Sequence, residues 1–208
     1  FGQGVYFKIL IGTYRSPKEQ KRIYMFLDLK DSTTIAEKIG HKKYSQFIQD
    51  CFYDLNKVLL KYEAEVYQYV GDEAVLSWPY DRGLTNNNCI GLFFAFQEER
   101  ESRKVYYLKK YGAFPEFKAG ILGGKLMVTE VGFVKKELAY HGDVINTSAR
   151  IQAECNKYNV TLILSDKVLQ DLEIDKLSGS KLLGDVLLKG KYEQVKIHTI
   201  LLDDKEVV

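Results

Sequence analysis

The stretch Ile23-Tyr24-Met25-Phe26-Leu27-Asp28-Leu29 decides how this chain folds. It is an almost continuous apolar run, and turn residues follow it at once, which is typical of a buried central strand. A carboxylate inside such a strand is costly unless a positive group offsets its charge. We therefore expect a positively charged partner beside Asp28, and we interpret that partner as a divalent cation.

A second aspartate, Asp72, lies in a β-hairpin pattern. β-prone residues fill 65–70 and 73–78, and Gly71-Asp72 forms the turn between them. A hairpin turn and the end of a central strand can lie side by side on one sheet, and two carboxylates brought together need cations or a shared proton. The ordinary alternatives are a helix cap for Asp28 and a solvated turn for Asp72.

The residues after the first strand are interpreted as a phosphate cradle. Asp31, Ser32 and Thr33 are better placed than Asp28 to cap the helix that follows, which leaves Asp28 available. Backbone N–H groups of the 30–34 turn point outward at the start of a helix, where anions bind readily. Two carboxylates, two metal ions and such a cradle suit in-line phosphoryl chemistry on a nucleotide.

The remaining pattern predicts an α+β fold, with helices packed on a mainly antiparallel sheet. The clearest helix covers residues 42–62, where apolar side chains recur on one face. We also predict a short helix from 32 to 40, a long one at 89–111, one at 142–156 and one capped by Ser165. The later strands are predicted at 117–122, 126–131, 133–140, 160–164, 181–189 and 195–202, with Gly123-Gly124 breaking the pattern.

Composition excludes several classes of protein. The chain has 208 residues, 46% apolar and 28% charged, which fits one soluble globular domain. Its net charge of +2 is too small to indicate nucleic acid as a partner. Its three cysteines form no CxxC pair, so we expect reduced thiols rather than disulfides or zinc.

A third motif, Gly142-Asp143-Val144-Ile145-Asn146-Thr147-Ser148-Ala149-Arg150, opens a helix. Asn146 and Arg150 are four residues apart and share one helix face. Arg150 suits phosphate binding and Asn146 suits positioning by hydrogen bonds, although an ordinary polar face is the commoner outcome for such a pair. The segment Lys189-Gly190-Lys191 is interpreted as a basic turn, and its ordinary alternative is a solvated strand end.

These segments, in this order, resemble the class III nucleotide cyclase catalytic domain, the family of adenylate and guanylate cyclases. The resemblance covers about residues 22–201 and depends on four segments together: 26–33, 69–74, 142–150 and 188–191. It implies a ferredoxin-like, palm-type α+β domain with a mainly antiparallel sheet. It also implies a lyase that converts a nucleoside triphosphate into a 3′,5′-cyclic nucleotide and pyrophosphate for signal transduction.

The resemblance implies a role for each site residue. Asp28, Asp72 and the Leu29 carbonyl would hold two Mg²⁺ or Mn²⁺ ions per active site. Asn146 would position the ribose and Arg150 would stabilise charge growing on the α-phosphate. The remaining substrate contacts would be Lys30, Asp31, Ser32, Thr33, Gln68, Ala139 and Lys191, with Lys191 reaching the outer phosphates.

Two positions leave the base open. Adenylate cyclases of this family typically carry Lys four residues before the second metal aspartate and Asp or Thr seven residues before the asparagine. Here those positions hold Gln68 and Ala139, and Ala139 has no side-chain hydrogen bond to offer. From family frequency we expect ATP, with GTP, UTP and CTP as alternatives.

In this family the metal aspartates come from one chain and the Asn and Arg from its partner. Because this chain carries all four, the resemblance implies a homodimer with two equivalent sites. Two competing hypotheses are a diguanylate cyclase-like nucleotidyl transferase and an inactive, nucleotide-binding regulatory cyclase domain. Since Asp28, Asp72, Asn146 and Arg150 are all present, the inactive alternative has only Gln68 and Ala139 in its favour.

The predicted organisation has three parts. Residues 1–21 form a linker or juxtamembrane-like segment, 22–202 the catalytic domain and 203–208 a tail. We expect a cytoplasmic domain, and the apolar residues 5–11 motivate the hypothesis of an upstream inner-membrane anchor or sensor.

Overall fold

The computed structural model describes residues 14, 16–132, 137–172, 179–187 and 194–200. These contain a mixed sheet with helices on both faces. The strands are β1 (Lys18–Leu29), β2 (Glu65–Val70), β3 (Glu73–Pro79), β4 (Phe117–Val131), β5 (Glu137–His141), β6 (Leu162–Ser165), β7 (Ser180–Leu187) and β8 (Gln194–Ile200). The helices are α1 (Ser32–Ile39), α2 (His41–Leu59), α3 (Tyr80–Leu84), α4 (Asn88–Ser102), α5 (Lys104–Tyr111), α6 (Asp143–Tyr158) and α7 (Asp166–Asp171), with a 3₁₀ turn at Thr85–Asn87.

The sheet confirms the predicted α+β class. Its strand order is β2-β3-β1-β4-β6-β8-β7, and β5 pairs with the far end of β4. The β4–β6 pairing is parallel, whereas the other pairings in the described part of the chain are antiparallel. The run that we took as the central strand, β1, lies between β3 and β4.

Alternation along β1 divides the core in two, because successive side chains of a strand point to opposite faces. Ile23, Met25 and Leu27 pack against α2, α4 and α5. Tyr24 and Phe26 pack on the other face, against α6. The even positions of β1 therefore face α6, and Asp28 is one of them.

We predicted that Gly123-Gly124 would interrupt the strand pattern, but it does not. Both residues lie inside the continuous strand β4. A Cβ on Gly123 would lie 2.4 Å from the Tyr80 ring, and one on Gly124 would lie 2.6 Å from Val144. The glycines allow close packing on both faces of the sheet, and this requirement is tertiary rather than local.

The predicted helix 89–111 was also wrong in one respect, because it is two helices. Arg103 has non-helical dihedral angles between α4 and α5. Its guanidinium hydrogen-bonds the Asp54 carboxylate on α2, and the Ser102 hydroxyl donates to the Glu99 carbonyl. These side-chain bonds compete with the helical ladder at the break.

The ends of other elements differ slightly from the predictions. β1 begins at Lys18, so the strand extends into the segment that we took as a linker. The Ser165 hydroxyl accepts from the Val168 N–H and caps α7 as predicted. No helix among the described residues is long and apolar enough to cross a membrane.

Candidate active site

A charged row crosses the sheet on its α6 face. The register places Asp28 of β1 opposite Glu73 of β3 on one side and opposite Lys118 of β4 on the other. Like charges directly opposite each other on neighbouring strands destabilise a sheet, whereas opposite charges stabilise it. Lys118 Nζ lies 3.4 Å from Asp28 Oδ2. We call Glu73, Asp28 and Lys118 the charged row.

The carboxylates of the charged row are held in an unfavourable electrostatic setting. Burial raises the pKa of Asp28, Lys118 opposes that rise and the nearby Asp72 adds to it. Burial also raises the pKa of Glu73, and the charges of Asp28 and Asp72 raise it further. Three carboxylates thus repel one another at this end of the sheet, and the one lysine of the row only partly offsets them.

Asp72 approaches this row from the β2–β3 turn, where Gly71 has the positive φ of 60° that the turn requires. The Tyr44 hydroxyl on α2 interacts with Asp72 and Ser32, and burial together with the Asp72 charge raises the pKa of Tyr44 to about 12. Asp28, Asp72 and Ser32, which we predicted from separate segments, therefore belong to one neighbourhood.

The capping of the helix after β1 differs from the prediction. Asp31 is the N-cap residue of α1 in a left-handed conformation, and its side chain makes no capping hydrogen bond. Lys30 is tied to Glu116, because its backbone N–H donates to the Glu116 carbonyl at 2.8 Å and its Nζ donates to Oε2 at 2.9 Å. Thr33 is exposed. The first N–H groups of α1 are therefore not capped by a side chain of Asp31.

Helix α6 presents different residues to two sides. Its buried side includes Gln152, whose Nε2 donates to Asp28 Oδ2 at 3.2 Å. Asn146 and Arg150 are exposed on the same helix. At about 100° per residue, Arg150 lies roughly opposite Gln152 around the helix. The structure therefore brings Asp28 and Asp72 together within one chain but leaves Asn146 and Arg150 facing away from them.

The two predicted base-contact positions lie on strands at the rim of the sheet. Gln68 is exposed on β2, next to a register shift between Val66 and Gln68. Ala139 is half-buried on β5, opposite Thr129. The neighbouring rings of Tyr67 and Tyr140 meet edge to face, with centroids 5.1 Å apart. This contact brings the two strands close together.

Sequence reasoning missed four residues that contact the aspartates: Tyr44, Glu73, Lys118 and Gln152. Lys118 had a usable signal, since it is a charge inside the apolar run of β4, as Asp28 is inside β1. Gln152 had no local signal, because its partner is 124 residues away in sequence. The predicted phosphate contact Lys191 lies outside the described residues.

Comparison with known proteins agrees with this architecture. The family described as "Adenylate and Guanylate cyclase catalytic domain" matches residues 15–202. Adenylate cyclase 2 of Rhizobium meliloti (strain 1021) is 31% identical over 196 residues, a match that covers 94% of this chain and 54% of the relative. The chain thus spans about half the length of that relative.

Two solved structures share the fold. A bacterial light-regulated adenylyl cyclase superposes with a TM-score of 0.81 at 17% identity, and the match covers 96% of this chain and 58% of the other. The adenylyl cyclase CyaB from P. aeruginosa superposes with a TM-score of 0.78 at 14% identity, covering 93% of this chain and all of the other. With the family match over almost its whole length, this chain belongs to the adenylate and guanylate cyclase catalytic domain family.

Proposed function

We propose that residues 22–202 form the catalytic domain of a homodimeric nucleotide cyclase. It converts ATP into the 3′,5′-cyclic nucleotide and pyrophosphate with two divalent ions at each shared site. The observation that carries this proposal is the division of polar site residues within one chain. Asp28, Asp72 and Glu73 repel one another at one end of the sheet, whereas Asn146 and Arg150 lie exposed on the far side of α6.

The donor set fits magnesium or manganese. Carboxylate and carbonyl oxygens are the ligands these hard cations prefer, and Mg²⁺ is usually held by one or two carboxylates together with substrate phosphates. Asp28, Asp72 and the Leu29 carbonyl would hold the ions. Among the described residues no group of three His, Cys, Asp or Glu side chains is arranged to hold a metal alone. We therefore expect the ions to bind together with the nucleotide, whose phosphates would supply further ligands.

The reaction itself is an in-line displacement. The ribose 3′-oxygen forms a bond to the α-phosphorus, the bond from that phosphorus to the bridging oxygen of the β-phosphate breaks, and pyrophosphate leaves. The 3′-hydroxyl proton is released to solvent. When bound, the ions make that hydroxyl more acidic and neutralise charge on the triphosphate.

The chain's own residues would position the nucleotide. The uncapped N–H groups at the start of α1, with Ser32 and Thr33, would bind phosphate oxygens. Lys118 places a positive charge beside Asp28. Asn146 would orient the ribose, and Arg150 would offer its planar guanidinium to the α-phosphate as negative charge develops there.

The orientation of α6 supports a shared site. Because Asn146 and Arg150 are exposed and Arg150 lies roughly opposite Gln152, we place neither residue with the aspartates of its own chain. A second copy can bring them to those aspartates. Two such exchanges create two equivalent sites in a symmetric dimer, and a monomer would be inactive.

ATP is the proposed substrate because the 31% identical relative is named an adenylate cyclase. The alternatives are GTP, UTP and CTP, since Gln68 can donate and accept hydrogen bonds and Ala139 offers none from its side chain. An inactive regulatory domain is the remaining alternative.

A product assay separates these possibilities. The purified domain is incubated with each of the four triphosphates and Mn²⁺, and products are identified by mass. A 3′,5′-cyclic mononucleotide is expected, and its mass names the base. A cyclic dinucleotide would instead indicate a nucleotidyl transferase. Binding without any product would indicate the inactive regulatory domain.

Complementation tests the shared site directly. Asp28→Ala and Arg150→Ala chains should each be inactive alone, because every site in either homodimer lacks one essential group. Mixed, they should regain part of the activity, because each heterodimer contains one complete site. A heterodimer verified by mass that stays inactive would contradict the shared-site arrangement.

A further inference from the structure

Gln152 is a buried amide on α6 that reaches the proposed metal ligand. Its exposed fraction is 5%, and its Nε2 donates to Asp28 Oδ2 at 3.2 Å. A buried amide without a partner would cost free energy, so this bond gives the residue a defined orientation. The same bond favours the charged form of Asp28 and opposes the rise of its pKa.

A second connection runs from the same helix through the charged row. Lys118 Nζ donates to Asn156 Oδ1 at 3.3 Å and lies 3.4 Å from Asp28 Oδ2. Asn156 is four residues after Gln152 and therefore on the same side of α6. Both connections use Oδ2 of Asp28, and neither uses Oδ1.

The backbone of α6 is pinned to the sheet at the same turn. A Cβ on Gly120 of β4 would lie 2.4 Å from the Gln152 backbone nitrogen and 2.7 Å from its Cα. No side chain fits in that gap, so the helix rests directly on the strand at Gly120. This contact sets the distance from which the Gln152 side chain reaches Asp28.

We propose that Gln152 is a positioning residue for the metal-binding carboxylate of its own chain, an inference that rests on the proposed function. It holds Oδ2 of Asp28 and would leave Oδ1 available to a bound cation, as hydrogen bonds from neighbouring residues orient carboxylate ligands generally. The other side of α6 carries Asn146 and Arg150 toward the partner's site. One helix thus supports both sites of the dimer.

The first test measures metal affinity without turnover. Mn²⁺ binding is followed by electron paramagnetic resonance in the presence of the 3′-deoxy triphosphate, which lacks the attacking hydroxyl. Gln152→Leu should bind Mn²⁺ about 10-fold or more weakly than the wild type. Gln152→Glu should also have an Mn²⁺ affinity different from that of the wild type, because it adds a negative charge. The control is Ser148→Ala, since Ser148 is buried on the same helix side but donates to the Val144 carbonyl.

The controls separate two kinds of failure. Asp28→Asn should lose Mn²⁺ binding. If wild type and Asp28→Asn bind equally, the proposed metal site itself is wrong. If Asp28→Asn loses binding while Gln152→Leu keeps wild-type affinity, only the inference about Gln152 is overturned. Circular dichroism melting of each variant shows that the chains compared are folded.

The second test asks on which chain Gln152 acts. In the heterodimer of an Asp28→Asn chain with an Arg150→Ala chain, the complete site takes Asp28 from the Arg150→Ala chain. Gln152→Leu on that chain should raise the Mn²⁺ concentration for half-maximal activity about 10-fold. On the other chain its effect should be far smaller. Equal effects from both placements would show general damage to α6 and would overturn the positioning role.

Discussion

The charged row and the base-contact positions differ in how firmly the fold holds them. Asp28 lies on the central strand, where neighbours on both sides and a helix above contact it. Gln68 is exposed on an edge strand beside a register shift, and Ala139 lies on a strand that pairs only with the far end of β4 among the described residues.

The difference separates reaction from selectivity. A fixed group in a low-dielectric setting can bind a cation strongly and costs little reorganisation during reaction. An exposed edge position tolerates substitution, because few packed neighbours depend on it. We therefore expect the charged row to control the rate with every triphosphate, and the rim to control which triphosphate reacts.

The largest effect is expected at the charged row. Asp28→Asn removes a metal ligand and should lower kcat by about 10²–10³-fold or more with any triphosphate. Because the folded chain disfavours the Asp28 charge, the metal-free variant should melt no lower than wild type. Steady-state kinetics and calorimetry measure both. Asp81→Asn is the control, since Asp81 is an exposed carboxylate, and a comparable loss there would contradict the assignment.

Packing beneath the row gives the next largest effect. Gly120→Ala should push α6 away from β4 and destabilise the fold by about 1–3 kcal/mol, measured by urea unfolding. The control is Gly91→Ala, whose Cβ would meet the Tyr62 ring at 2.7 Å, in the core on the other face of the sheet. Both variants should lose stability, but only Gly120→Ala should need more Mn²⁺ for activity.

The rim should change selectivity by a smaller factor. Gln68→Lys combined with Ala139→Asp restores the residue types typical of adenylate cyclases and should raise the kcat/KM ratio of ATP over GTP by about 10-fold. The Mn²⁺ dependence should stay as in wild type, because Gln68 is paired with Val75 and Ala139 with Thr129 rather than with a residue of the charged row. Competition assays with both triphosphates measure the ratio. A variant that loses both activities equally would contradict the separation of rim and row.

The sequence predicted the firmly held parts of this comparison best. The apolar run of β1, the Gly71-Asp72 turn and the one-sided pattern of α2 are local signals, and each matches an observed element. Gly123-Gly124 failed as a local signal, because the reason for glycine there is close contact with Tyr80 and Val144. Distant partners of this kind leave no pattern in a short window.

The residues of the candidate site show the same difference between local signals and distant contacts. Asp28 and Asp72 stood out because charges interrupt β-prone runs, and the structure places them near each other. The Glu73–Asp28–Lys118 row depends on strand register, and the Gln152 contact depends on how α6 packs on β4. Neither register nor helix packing follows from residue types alone. The catalytic roles of Asn146 and Arg150 stay predictions until the complementation experiment.

The smallest effect is a pH dependence of stability, which tests the electrostatics of the row without catalysis. In the folded, metal-free chain the pKa values of Asp28 and Glu73 are raised above their ordinary 3.8 and 4.5. The folded state therefore binds protons more tightly than the unfolded state. The stability that this proton binding contributes is lost as pH rises from about 4 through the raised pKa values.

Asn at position 28 is neutral at every pH, so the stability of Asp28→Asn relative to wild type should increase as pH rises from 4 to 7. Urea unfolding across that range measures the difference. Saturating Mn²⁺ and nucleotide should reverse it, because ligands that bind only the folded wild type stabilise that chain alone. A difference that stays constant with pH would show that the charge of Asp28 is already offset within the chain, and that the charged row has no need of a cation.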